Sequence, residues 1–226
     1  MAIDKRVRNI AAALEGMTDG MSVMVSGFGE AGMPNALVDA LIELGPKNLT
    51  LIVTGAGMNG SRLAKLFEAS MIAKVICSAA RGRGEMTEME RQWKSGKVVL
   101  ELVPQGTFAE RIRAAGAGIP AFFTPVSYGT PIGAGKEVRE FEGRKYVMEP
   151  WLKGDVALLR AERGDRFGNL QYHGAQANFG PAMATAATLT VAEVSELLQR
   201  DAIPPQHVGT PGIYVNRVIA LPDLRQ

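Results

Sequence analysis

Two groups of residues in this chain have the types and spacing to do chemistry. The first is Gln105, set between Val103-Pro104 and Gly106-Thr107, where an apolar run gives way to the charged segment Ala109-Glu110-Arg111-Ile112-Arg113. An uncharged amide fixed by a proline before it and a glycine after it can aim its NH2 group at a developing negative charge, as an oxyanion-stabilising donor does. The alternative is a strand-to-helix turn whose amide satisfies backbone groups. The second group is Ser26-Gly27-Phe28-Gly29-Glu30-Ala31-Gly32, in which Gly27, Gly29 and Gly32 match G-x-G-x-x-G between a strand pattern and a helix pattern. Glycines let backbone N–H groups approach a phosphate, and a following helix N-terminus adds partial positive charge. A dinucleotide fingerprint also needs an acid at the end of the second strand, and Thr54-Gly55-Ala56-Gly57 supplies none. A phosphate- or pantetheine-bearing ligand is therefore the better match to this loop than NAD. A tight turn without a ligand is the structural alternative.

Positioning these groups takes an alternating scaffold. Strand patterns at Met21–Val25, Leu49–Val53, Lys74–Ser78 and Val98–Val103 alternate with helix patterns that include Leu37, Val38, Leu41 and Ile42, then Arg62–Glu68, then Phe108, Ile112 and Ala115. Another helix pattern spans Val7 to Leu14. This order predicts an α/β fold, a largely parallel sheet with helices on both faces in three layers. From Ile119 to Tyr146 the texture turns to proline, glycine and short β-like pieces, with a hairpin expected around Glu142-Gly143. That is a small β-rich insertion. Further strands are expected at Asp155–Ala161 and Thr188–Glu193, a turn at Arg163–Asn169 and a helix at Met183–Ala187. No repeat or linker divides the chain, so 1–226 reads as one domain.

Composition narrows the function classes. The chain has 226 residues, 46% apolar and 21% charged, as in ordinary globular proteins. A net charge of +2 offers no argument for nucleic acid or an acidic membrane. Cys77 alone allows no internal disulfide and no cysteine-built zinc site, and His173 and His207 are too few for a histidine metal centre. No metal is expected. No secretory signal or bilayer-spanning run is present, and a cytoplasmic location is expected. Cys77, in an apolar strand, reads as core. Trp93 and Trp151 read as packing or interface residues, and Glu85, Glu88 and Glu90 as a solvated helix.

Taken together, the loop at Ser26–Gly32, Val103-Pro104-Gln105-Gly106-Thr107, Gly116-Ala117-Gly118, Gly135-Lys136-Glu137, Asn178-Phe179 and Thr210-Pro211-Gly212-Ile213 resemble, in order, the blocks of the alpha subunit of family I CoA-transferases, the 3-oxoacid type. The resemblance runs from about Ala11 to Val218, and the 3-oxoadipate branch is the most similar. It departs from the family pattern at Ser26, at Thr54–Gly57 and at Ser78–Glu85. The resemblance implies coenzyme A as a co-substrate, with no tightly bound cofactor, over Ser26, Gly27, Phe28, Gly29, Glu30, Ala31 and Gly32. It implies an oxyanion role for Gln105 and a nucleophilic glutamate on a separate beta subunit. The expected assembly is therefore a hetero-oligomer that uses acyl-CoA and small carboxylic acids. A 3-oxoadipate acceptor carries a distal carboxylate that Arg81 or Arg83 can bind bidentately. The alternatives at that loop are solvation or contact with a CoA phosphate. For the chain as a whole they are part of an acetate/acetoacetate-type transferase, part of an acyl-CoA hydrolase, or a non-catalytic CoA-binding module.

Overall fold

The computed structural model describes residues 3–57, 59–81, 84–198 and 203–221, so Arg83 lies outside the described residues. The first half alternates as expected: α1 (Ile10–Ala13), β1 (Ser22–Val25), α2 (Asn35–Leu44), β2 (Leu49–Gly55), α3 (Arg62–Glu68), β3 (Ile72–Ala79), α4 (Glu88–Lys94), β4 (Val99–Leu102) and α5 (Gln105–Gly116). Then come β5 (Ala121–Thr124), β6 (Val138–Phe141), β7 (Arg144–Pro150), β8 (Gly154–Asp165), β9 (Leu170–Gln171), α6 (Gly180–Ala186), β10 (Ala187–Leu198) and β11 (Arg217–Ala220). The main sheet has the order β11-β10-β8-β1-β2-β3-β4. Its pairings are parallel except for the short β9, which runs antiparallel to β8.

Strand alternation builds two cores. Val23, Val25, Leu51, Val53, Val75 and Cys77 face one side, against Leu37, Leu41, Leu66, Phe67 and Met89 of α2, α3 and α4. Met24, Ile52, Ile76, Ala157 and Leu159 face the other, against Phe108, Ile112 and Met183 of α5 and α6. The three-layer expectation is met. Cys77 is fully buried, and burial pushes its thiol up to about 11. The small antiparallel sheet β5-β7-β6 is the expected insertion, and Glu142 and Gly143, both at positive φ, turn its hairpin.

Three expectations need correction, each for a tertiary reason. The helical pattern from Val7 delivers only Ile10–Ala13, because Lys5 and Val7 are drawn into hydrogen bonds with Val218 at the sheet edge. The turn expected from Arg163 begins later: β8 continues to Asp165 because β10 pairs with it through Leu198. Glu90 is not on a solvated face. It is buried at the third position of α4, where its carboxylate accepts the Thr87 N–H and the Thr87 hydroxyl accepts the Glu90 N–H.

Candidate active site at the carboxyl ends of the parallel strands

The strands β1, β2 and β3 end side by side, and the loops that follow them enclose a cavity of about 430 Å3. Gly29 and Glu30 supply one wall, Thr54, Gly55, Ala56 and Gly57 the floor after β2, Ser61 and Arg62 the start of α3, and Ala79 and Arg81 the edge after β3. Parallel α/β sheets hold ligands at this end because loops and helix N-termini converge there.

Hydroxyl groups hold the glycine loop shut from beneath. Ser26 is fully buried and its Oγ donates to the Gly32 carbonyl at 2.7 Å. Thr54 donates to the Gly27 carbonyl at 2.8 Å, and Ser78 donates to the Thr54 carbonyl at 2.7 Å. The turn itself closes through the Phe28 N–H and the Ala31 carbonyl. Gly32 tolerates no side chain, since a Cβ there would sit 2.7 Å from the Gln176 carbonyl oxygen. Among the described residues, the N–H groups of Gly29 and Glu30, two residues that line the crevice, have no internal acceptor.

The helix end behind this loop is already taken. Glu193 Oε2 accepts the N–H groups of Ala36 at 3.0 Å and Leu37 at 2.9 Å, in the first turn of α2. Its other oxygen accepts from Arg160 Nη1 at 3.1 Å, and Arg160 Nη2 donates to Ser195. Burial raises the Glu193 carboxyl above its ordinary value, against the opposing pull of the Leu37 N–H, the Arg160 guanidinium and the Ala36 N–H. The G-x-G-x-x-G pattern couples its phosphate to that helix N-terminus. Here a carboxylate of the same chain occupies those donors, so a phosphate on them would meet a like charge.

The sequence-derived site residues are thus divided. Gly29, Glu30 and Arg81 line the crevice, whereas Ser26 lies buried below it as a loop staple. Gly27, Phe28, Ala31 and Gly32 build the turn without lining the cavity, and Phe28 is more than half exposed. Arg81 projects into solvent, its Nε 3.5 Å from Glu90 Oε1. Gln105 lies outside the crevice lining, one strand further along the same sheet edge, as the first residue of α5. Its side chain is exposed and, among the described residues, has no hydrogen-bond partner; the α5 N-terminus has no side-chain cap. The amide therefore does not satisfy the turn, and its donors remain available to something outside the chain.

Sequence reasoning missed the Arg160–Glu193 pair, which sits in direct register across β8 and β10. The signal is there to read: Arg160 stands inside the apolar run Val156–Ala161 and Glu193 inside Val191–Val194, and buried charges need partners.

The chain is thus a three-layer α/β protein with a crevice at the carboxyl ends of its parallel strands and, at Gln105 on the same edge, an amide without an internal partner among the described residues. The chain belongs to the Coenzyme A transferase family, whose model matches residues 7–221, and within it to the alpha type of chain. It is 48% identical over 219 residues to the alpha (A) component of the 3-oxoadipate CoA-transferase of Pseudomonas putida, covering 97% of this chain and 94% of that one. It is 46% identical over 224 residues to the corresponding component of the succinyl-CoA:3-ketoacid coenzyme A transferase of Xanthomonas campestris, covering 98% and 91%. An acyl-CoA transferase of E. coli O157:H7, solved as a thioester complex with CoA, shares the fold at a TM-score of 0.84 and 19% identity. This chain is covered to 99% in that comparison and spans about half of the other, 51%. The glutaconate coenzyme A-transferase of Acidaminococcus fermentans matches at a TM-score of 0.84 and 19% identity, covering 96% of this chain and 76% of that one. The protein is a CoA-transferase.

Proposed function

We propose that this chain is the alpha subunit of a heteromeric CoA-transferase that moves CoA from succinyl-CoA to a 3-oxoacid, 3-oxoadipate in particular, as one domain over residues 1–226. The similarity to the alpha component of a 3-oxoadipate CoA-transferase over nearly the full length of both chains supports this reading of the substrate. The observation that carries the catalytic part is the exposed, unpartnered amide of Gln105 at the carboxyl-end edge of the sheet.

The reaction runs through a glutamate carboxylate on the beta subunit. That carboxylate attacks the acyl-CoA carbonyl and expels CoA thiolate, leaving an acyl-glutamyl anhydride. The thiolate then attacks the glutamyl carbonyl and releases the free acid, leaving a glutamyl-CoA thioester. An incoming 3-oxoacid reverses the two steps and departs as its CoA ester. Each addition passes through a tetrahedral oxyanion, and the role of the Gln105 NH2 is to donate to it. Ser26 to Gly32 shape the CoA side of the crevice, with the N–H groups of Gly29 and Glu30 as donors. Arg81 receives the distal carboxylate of the acceptor, and Arg83, which lies outside the described residues, is the second candidate for it from the sequence. The proposed setting is aromatic catabolism in the cytoplasm; no helix among the described residues is long and apolar enough to cross a membrane.

The test is reconstitution. The purified chain alone should transfer no CoA from succinyl-CoA to 3-oxoadipate, and addition of the beta subunit should restore transfer with ping-pong kinetics. Full turnover by the isolated chain would remove the shared-site reading. Thioester hydrolysis without an acceptor acid would favour an acyl-CoA hydrolase instead.

A further inference from the structure

We propose that Asn178 is a positioning residue for transfer: it fixes the register of the glycine loop against the helix that carries Gln105. Its amide is fully used. Oδ1 accepts the Gly27 N–H at 3.2 Å and the Phe179 N–H at 2.6 Å. Nδ2 donates to the Ala31 carbonyl at 2.8 Å and to the Ala175 carbonyl at 2.7 Å. Two N–H groups face the oxygen and two carbonyls face the nitrogen, so only one orientation of this amide satisfies all four. One side chain thereby grips the loop at both ends of its turn, 151 and 147 residues away in sequence.

The next residue carries the coupling onward. The Phe179 ring packs edge-on against Phe108 at 5.6 Å between centroids. Phe108 is fully buried and lies three residues after Gln105, about one turn along α5. Asn178 holds a φ of −39° and ψ of −89°, outside the regular regions, between a 3-10 turn at Gly174–Ala177 and the start of α6. From there the Asn178 amide reaches the glycine loop while the Phe179 ring packs on α5. The two donor sets of the proposed site, the loop N–H groups and the Gln105 amide, belong to elements on opposite faces of the sheet. The Asn178-Phe179 pair is a direct bridge between them, and a misplacement of about 1 Å between reacting groups can cost about 100-fold in rate.

This inference rests on the transferase reading of the site, and three variants separate the two. Asn178→Ala removes all four bonds and should lower kcat of the reconstituted enzyme by about 100-fold. Asn178→Asp keeps both acceptor bonds but sets a carboxylate oxygen against the Ala31 and Ala175 carbonyls. Protonation restores one donor, so the ratio of Asn178→Asp to wild-type kcat should rise as the pH is lowered. A merely structural loss would leave that ratio flat for the folded enzyme. Phe179→Leu keeps the loop bonds and should lower kcat by about 10-fold while the loop stays protected, on the same rate argument. Hydrogen exchange in the isolated chain reports the clamp without turnover: the Gly27 N–H, which donates to Asn178 Oδ1, should exchange at least about tenfold faster in Asn178→Ala at neutral pH. Unchanged exchange at Gly27, or a pH-flat kcat ratio in an active enzyme, overturns the proposal. A wild-type pair that is inactive, with faster exchange in the variant, would instead strike the transferase reading and leave the clamp standing.

Discussion

Glu193 Oε2 accepts the Leu37 N–H at 2.9 Å, so a carboxylate on β10 caps the first turn of α2, 156 residues earlier in the chain. The same carboxylate is held by Arg160 on the neighbouring strand, and it is wholly buried. A buried ion pair adds little over a well-packed apolar substitute, but removal of one partner strands the other charge. Glu193→Ala should therefore destabilise the chain by about 3–5 kcal/mol, read from urea unfolding midpoints. Replacing both partners together, Arg160→Met with Glu193→Leu, should cost less than the single change. A double variant weaker than Glu193→Ala would show that the pair itself, and not the charge imbalance left by removing one member, carries the stability.

Gln105 makes the opposite prediction. It is exposed at the first position of α5, with no internal hydrogen bond among the described residues. Gln105→Ala should leave the unfolding midpoint unchanged. In the reconstituted enzyme it should lower kcat by about 10²- to 10³-fold, the cost of a lost oxyanion donor. The KM for succinyl-CoA should move far less, because the donation matters mainly in the transition state. Equal kcat for wild type and variant would remove Gln105 from the chemistry.

Most of the scaffold is legible in the residues, because period and punctuation agree with the fold. Arg62–Glu68 follows a capping serine, Ser61, and forms the helix its pattern specifies. Glu142-Gly143 marks the hairpin it turns. What local pattern does not contain is reach. β8 and β10 run past their apolar stretches because each supplies the other's hydrogen bonds, and Val7 leaves its helix to pair with Val218. In the site, spacing marks Gly27, Gly29 and Gly32 but says nothing of Asn178, whose amide closes on that loop from the far half of the chain. The same spacing implies an open helix end behind the loop, and a distant Glu193 fills it. The two strand charges in Ala157–Ala161 and Val191–Val194 are the one readable sign of that.

Arg81 lines the crevice with its guanidinium mostly in solvent, and its contact with Glu90 is long, at 3.5 Å. With its Arg81 end in solvent, so long a contact to the buried Glu90 contributes little to stability. The Arg81 guanidinium is free to take a carboxylate at the rim. Arg81→Ala should raise the KM for a dicarboxylic 3-oxoacid by about tenfold, the size expected for one charge-assisted contact, and barely change the KM for acetoacetate. Arg81→Lys should recover only part of the loss, since an ammonium lacks the bidentate geometry. Equal effects on both acceptors would indicate a contact with CoA or a solvated loop.

The helix that carries Gln105 is tied to the sheet edge by Glu101 on β4. Its carboxylate pairs with Lys74 of β3 at 2.6 Å and with Arg111 of α5 at 2.7 Å, while Arg111 Nε donates to the Pro150 carbonyl at 2.8 Å. Burial by itself would push this carboxyl up, but the hydrogen bonds and charges of Lys74 and Arg111 outweigh it and hold the group below its ordinary 4.5. The sign follows from proton counting. As the pH falls below about 4.5, the unfolded chain takes up this proton before the folded one does, so the stabilisation is full above that value and is lost as the pH drops through the lower, folded value. Glu101→Gln should thus be less stable than wild type near neutral pH, and the gap should close in acid. Urea midpoints of the two proteins at about pH 7 and about pH 3 give the comparison. A gap that persists unchanged at the acid end would mean that Glu101 acts by shape and hydrogen bonding alone, not by its charge.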